Sequence, residues 1–257
     1  METKYAVSKD GAKISYNVAG EGYPLMLVHG IESFKEKWIE RGWIDVLKKH
    51  FTVMSIDLRG HGQSDKSYDP EFYSIDNIIN DIDAVANACG FEEYNYFGHS
   101  YGANIGFQLC KYNKNIKKMV CSGNAFGDEF FKEILPAWIK RYENLSLNKK
   151  NNTLDKLDLS KEDVEWAKNI DLELFIAQFN GIKKWRGTEI SDLSHMKTEL
   201  AIFSGTKDHQ FVINNLEDNR DEIEKNGIKL KIYDGLTHMD LVDKINVVSP
   251  WVLENLL

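Results

Sequence analysis

The reading of this chain turns on YNYFGHSYGANIGF, Tyr94 to Phe107. An aromatic, strand-like run stops at Gly98, and a helix-like run starts after Gly102. Ser100 stands between them with a glycine two residues away on either side. A serine that merely filled a turn would need no small residues on both flanks. In a tight strand-to-helix turn the serine is forced into a strained backbone conformation, and any larger neighbour at those two positions would clash. Such a turn aims the hydroxyl outward and leaves the Tyr101 N–H at the start of a helix, placed to stabilise negative charge. Ser100 is therefore read as a candidate nucleophile rather than a turn residue.

The segments on either side continue the alternation. Lys4–Val7 and Lys13–Val18 flank an Asp-Gly turn and form a hairpin pattern. PLMLVHG (24–30) and FTVMSID (51–57) are compact apolar runs with the look of strands buried on both faces. Between them, residues 36–51 carry Trp38, Ile39, Trp43, Val46 and Leu47 at helical spacing. Ser74 caps an apolar stripe of Ile75, Ile78, Ile79, Ile82 and Val85 that ends at Gly90. Strands follow at 116–123, 199–205 and 228–235, with helical patterns around 214–225 and from Met239 onward. Strands alternating with helices in this way predict a mostly parallel sheet covered on both faces.

Residues 124–197 break the rhythm. They hold no convincing strand, and Pro136 either kinks or begins a helix there. The polar stretch 147–163 reads as a loop, with Ser160 a candidate N-cap. The division is thus a core of 1–123 and 198–257 with a helical insertion at 124–197. The aromatic stripes of the insertion read mostly as core. Phe130, Phe131, Trp138 and Phe175 are its candidates for an apolar pocket lining.

With 257 residues, 42% hydrophobic and 28% charged, the composition is that of an ordinary globular protein. A net charge of −8 and a pI near 5.4 argue against nucleic acid as the main partner. No apolar run reaches the ~18 residues of a membrane span, and the first residues lack a signal-peptide pattern. Cys89, Cys110 and Cys121 form no CxxC and read as free thiols, which with the missing signal points to the cytoplasm.

A serine hydroxyl needs a base within reach. Of seven histidines, His29, His61 and His99 lie beside glycine or serine in tight turns, and His99 is expected to point away from Ser100. His50 and His209 have no clear context, and His195 lies just before a strand. His238, in YDGLTHMDLVDK, directly follows the last strand, at the carboxyl edge where ligand sites form in parallel sheets. Asp208, in FSGTKDHQF, follows the preceding strand at the same edge and ranks above Asp128 and Glu129 as the carboxylate that orients the base.

LVHG (27–30), DLRGHGQSD (57–65), GHSYG (98–102), SGTKD (204–208) and LTHMD (236–240) together resemble the α/β-hydrolase superfamily in content and order. The resemblance implies that fold with a helical cap over the site, with Ser100 as nucleophile, Asp208 as acid and His238 as base. The backbone N–H groups of Ile31 and Tyr101 would form the oxyanion hole, with no cofactor and no metal. Loop 57–65 is structural in the family. The loop after Gly30 reads Ile31-Glu32-Ser33-Phe34 and lacks the glycine-rich form of many lipases, so large acyl groups are less welcome. Glu32 there is either a solvated loop acid or a pocket group for a cationic or hydroxylated substrate. Serine in place of aspartate disfavours dehalogenase and epoxide hydrolase chemistry. The expected activity is cleavage of a small or medium carboxylic ester through an acyl-enzyme. C–C, lactone or amide cleavage, haloperoxidase-like activity, and ligand sensing on the same scaffold are the alternatives.

Overall fold

Side chains of the central strands alternate strictly between two apolar layers. Leu25 and Leu27 pack with Val53, Phe97, Val120 and Phe203 on one face of the sheet, while Met26 and Val28 pack with Met54, Tyr96, Met119 and Ile202 on the other. A strand apolar at every position can only be satisfied by cover on both sides. The computed structural model, which describes residues 1–112, 115–193 and 196–257, shows that cover. Eight strands, β1 (Lys4–Val7), β2 (Lys13–Ala19), β3 (Tyr23–Val28), β4 (Phe51–Ile56), β5 (Tyr94–His99), β6 (Ile116–Ser122), β7 (Glu199–Lys207) and β8 (Lys229–Thr237), form one sheet in the order β1-β2-β4-β3-β5-β6-β7-β8. The β1–β2 and β2–β4 pairs are antiparallel, and all others are parallel. The carboxyl ends of β3, β5, β6, β7 and β8 therefore open onto one edge.

Two helical expectations change in detail. The run 36–51 is split into Glu36–Glu40 and Trp43–Leu47, because Gly42 adopts a left-handed φ of +89° that no continuous helix allows. The split lets Trp38 and Trp43 both pack on Phe97, at ring-centre distances of 5.5 and 4.9 Å. The polar stretch 147–163 is only partly loop. A helix of Leu135–Lys150 runs into it, and Ser160 caps a further helix, Lys161–Asn169, by accepting the Asp163 N–H at 3.0 Å. Polar composition hid the last turn of the first and the first turn of the second. Pro136 lies just after a π-helical turn at Phe130–Ile134 that passes without a break into Leu135–Lys150, so the proline marks a change of helical pitch inside one helical run.

The segment between β6 and β7 also carries a helix at Leu172–Ile182. Its entry and exit are stitched together: Gly127 N–H donates to Thr188 O at 2.9 Å and Gly187 N–H to an Asp128 carboxylate oxygen at 2.6 Å. Gln108 and Lys111, on the helix Tyr101–Tyr112, donate to the carbonyls of Arg186 and Gly187.

Loop 57–65 is held by a buried ion pair. Lys35 Nζ lies 2.7 Å from Asp57 Oδ2, and both side chains are fully buried. Asp57 also accepts from the Lys35 and Gln63 amides and the Ser15 hydroxyl. Burial pushes its carboxyl up, but these hydrogen bonds outweigh that and hold it below the usual range. Its contribution to stability is thus complete above the ordinary carboxylate range and is lost as pH falls through the lowered value. Lys35→Met should cost about 3–5 kcal/mol in urea unfolding at neutral pH, because it strands a buried carboxylate. The penalty should shrink as Asp57 protonates; an unchanged urea midpoint would contradict this account.

Candidate active site

Ser100 has a φ of +55°, left-handed and rare for a side-chain-bearing residue. The surrounding backbone leaves it no alternative. A Cβ at Gly98 would lie 2.4 Å from the Gly102 carbonyl oxygen, and one at Gly102 would lie 2.4 Å from the Val28 carbonyl oxygen. Strand β5, the following helix and β3 meet too closely for any other residue. The Ser100 N–H donates to Ser122 O at 2.8 Å, and its carbonyl accepts the Asn104 N–H at 3.0 Å, so the turn is closed on both sides. The Tyr101 and Ile31 N–H groups donate to no oxygen among the described residues. His29 fixes the loop that carries Ile31. Its Nδ1 donates to Gly30 O at 2.7 Å and its Nε2 accepts the Leu58 N–H at 3.1 Å, a neutral tautomer consistent with burial lowering its pKa.

Asp208 and His238 meet at the ends of β7 and β8. His238 Nδ1 donates to Asp208 Oδ1 at 2.7 Å, which leaves Nε2 as the lone-pair nitrogen. Asp208 also accepts from Ser204 Oγ and the His209 amide, each at 2.6 Å. Burial raises its pKa, but hydrogen bonds from His238, Ser204 and His209 reverse the shift and hold it below the ordinary range. Ser100 and His238 both line a cavity of about 770 Å³. The rival acid Asp128 is engaged elsewhere, by Lys132 and the Gly187 amide.

His99 departs from expectation. It faces the site, with its ring 4.7 Å from that of His238, because its Nδ1 is drawn to Ser122 Oγ at the end of β6. His209 flanks His238 on the other side at 4.5 Å. Burial lowers the pKa of both rings, and each would be lowered further by a protonated imidazole beside it. His195 lies outside the described residues.

Of the pocket candidates, Glu32 and Trp138 line the large cavity, and Phe130 lines a smaller one adjoining it. Phe131 packs on Trp185 and Phe175 on His61, Tyr142 and Phe179, so both belong to the core and border neither cavity. Glu32 is exposed by its accessible surface and lines the cavity. Burial pushes its carboxyl up to about 6, with Trp166 and Arg141 partly opposing the shift. Trp166, on the helix whose N-cap the sequence placed at Ser160, is the cavity residue most plainly missed. The Ser160 cap followed by Val164 and Ala167 was the available signal.

Residues 23–132 match the family model described as alpha/beta hydrolase fold. Among curated proteins, the mouse protein named Epoxide hydrolase 4 is 32% identical over 117 residues, 44% of this chain and 32% of that protein. A soluble epoxide hydrolase from Corynebacterium is 27% identical over 139 residues, 54% of this chain and 44% of that one. The chain thus spans less than half the length of either relative. Among solved structures, a bottromycin epimerase superposes with a TM-score of 0.76 at 20% identity over 100% of both chains. The enol-lactonase from Burkholderia xenovorans gives 0.74 at 18%, over 98% of this chain and 99% of that one. Sheet order and structural neighbours agree on the α/β-hydrolase fold, and residues 23–132 match the family model that carries that name.

Gly123 tests the geometry. Its φ is +66°, and a Cβ there would stand 2.8 Å from His238 Cε1. Gly123→Ala should displace the imidazole and abolish a low-field Nδ1 proton resonance from the pair with Asp208. Far-UV circular dichroism should be retained. An unaltered resonance would show that the ring is not where the geometry puts it.

Proposed function

We propose that this protein is a serine hydrolase that cleaves small carboxylic esters or related acyl compounds, with the helices of 124–197 capping the site. The observation that carries the reading is Ser100 held left-handed at a helix N-terminus, in the same cavity as an imidazole whose Nδ1 is tied to a buried carboxylate. His238 Nε2 takes the hydroxyl proton as Ser100 attacks the carbonyl carbon. The Ile31 and Tyr101 amides receive the developing oxyanion, each contributing about 3 kcal/mol. His238 then protonates the departing alcohol and activates water against the acyl-enzyme, while Asp208 stabilises the imidazolium.

The two curated relatives are named for epoxide opening, but the turn residue here is an alcohol. A carboxylate that opens an epoxide becomes an ester, which water can cleave at its carbonyl. A serine would become an ether with no carbonyl to attack. Acyl transfer is the chemistry that regenerates Ser100.

A fluorophosphonate should label Ser100, and short p-nitrophenyl esters should turn over. Ser100→Ala should lose the label and at least about a thousandfold in kcat. Retention of both would defeat the reading. Glu32 adds a pH signature. It is neutral below about 6 and anionic above, so KM for an ester of a quaternary ammonium alcohol should fall as pH rises through that value. In Glu32→Gln that inflection should vanish; persistence would assign it to another group.

A further inference from the structure

Ser100 stands at the junction of two unequal chambers. Together with Ile31, Trp138, His209, Phe211 and His238 it borders both the large cavity and a second one of about 30 Å³. One water needs roughly 10–15 Å³ on this measure, so the small chamber holds about two or three heavy atoms. Its far wall is Leu135, Phe179 and Ile182, at most 2% exposed. Into this apolar wall the fold sets two carboxamides, Asn104, one turn after Ser100, and Asn124, just after β6. Asn124 is 3% exposed, and its Nδ2 has no hydrogen-bond partner. Asn104 is 9% exposed and lines the same chamber. A buried amide without a partner costs on the order of an unmade hydrogen bond, so a ligand atom that satisfies it is favoured.

We infer that the small chamber is the acyl subsite, and that it selects short acyl groups of about two to four carbons bearing an oxygen acceptor at the second or third atom of the chain. This rests on the serine hydrolase reading. The assignment of sides follows from exchange: after acylation the alcohol must leave and water must enter beside His238. Only the large cavity is open enough for that traffic, so the part of the substrate that stays bound occupies the closed chamber. Asn124 donates to the acyl oxygen, and Asn104 lies beside it on the nucleophile's own helix.

The test compares p-nitrophenyl esters of equal chain length. Butyrate and methoxyacetate differ only in a methylene replaced by oxygen, and each rate is divided by its hydroxide-catalysed rate. The wild-type protein should prefer methoxyacetate roughly 2- to 10-fold in kcat/KM, the discrimination of one neutral hydrogen bond. The ratio should collapse towards one in Asn124→Leu. From butyrate to octanoate, kcat/KM should fall at least about tenfold as the chamber overfills, and Ile182→Ala should lift that fall. Thermal unfolding and fluorophosphonate labelling show whether each variant is folded; if Asn124→Leu is not, Asn104→Leu serves as the second variant. A binding arm needs no turnover. Ser100→Ala should bind methoxyacetanilide more tightly than butyranilide, by calorimetry. Equal binding, an unchanged ester ratio in a folded Asn124→Leu, or rates set by alcohol size instead of acyl length would each overturn the assignment. Absence of fluorophosphonate labelling in the wild type would instead count against the serine hydrolase reading, and the anilide pair would still decide the subsite.

Discussion

The structure depends on one steric confrontation, the closeness of three backbone segments around Ser100. The Gly102 carbonyl presses on Gly98, and the Val28 carbonyl presses on Gly102. Only when both positions lack a side chain do β5 and the helix after it approach β3 so tightly, and only then is the residue between them driven to positive φ. That conformation costs of order 1–3 kcal/mol, and the closed turn and fully buried strands hold it. In return, Ser100 is carried to the cavity wall where the sheet ends.

Support for this point is spread through the chain. The Asp57–Lys35 pair anchors the loop after β4, and His29 bonds both that loop, at Leu58, and the backbone beside Ile31. The position of Ile31, which lines the cavity beside Ser100, is thus tied through His29 to the buried Asp57–Lys35 pair. Arg59 plays a parallel part further out, donating to Asp81 and Asp10 and so joining the loop to the helix Ile75–Ala88 and the first hairpin. Buried charges in this protein serve position more than net stability.

The fold was legible because its signals are local. Compact, mostly apolar strand runs, a serine between glycines, and Asp208 and His238 each directly after a strand all lie within short windows of sequence. The site's walls were not. Trp166 sits on a helix whose composition is polar, and its importance comes from where a distant segment brings it. Phe131 and Phe175 looked like Phe130 and Trp138 in periodicity, yet tertiary packing turned them inward to Trp185 and His61. His99 was misread because the pull of Ser122 Oγ, contributed by the neighbouring strand, cannot be seen along the chain. A period tells which residues share a face, and only neighbours decide what that face meets.

The stitch between Gly127 and Thr188, and between Asp128 and Gly187, has an evolutionary corollary. It closes the excursion from the sheet at its neck, and Gln108 and Lys111 rivet the neck to the scaffold. Lengthening such a loop by doubling adds only about 0.6 kcal/mol of closure entropy. Everything beyond the neck is therefore free to be shortened, extended or grafted from elsewhere without disturbing the chemistry beneath, and new specificities can be sampled on an unchanged engine.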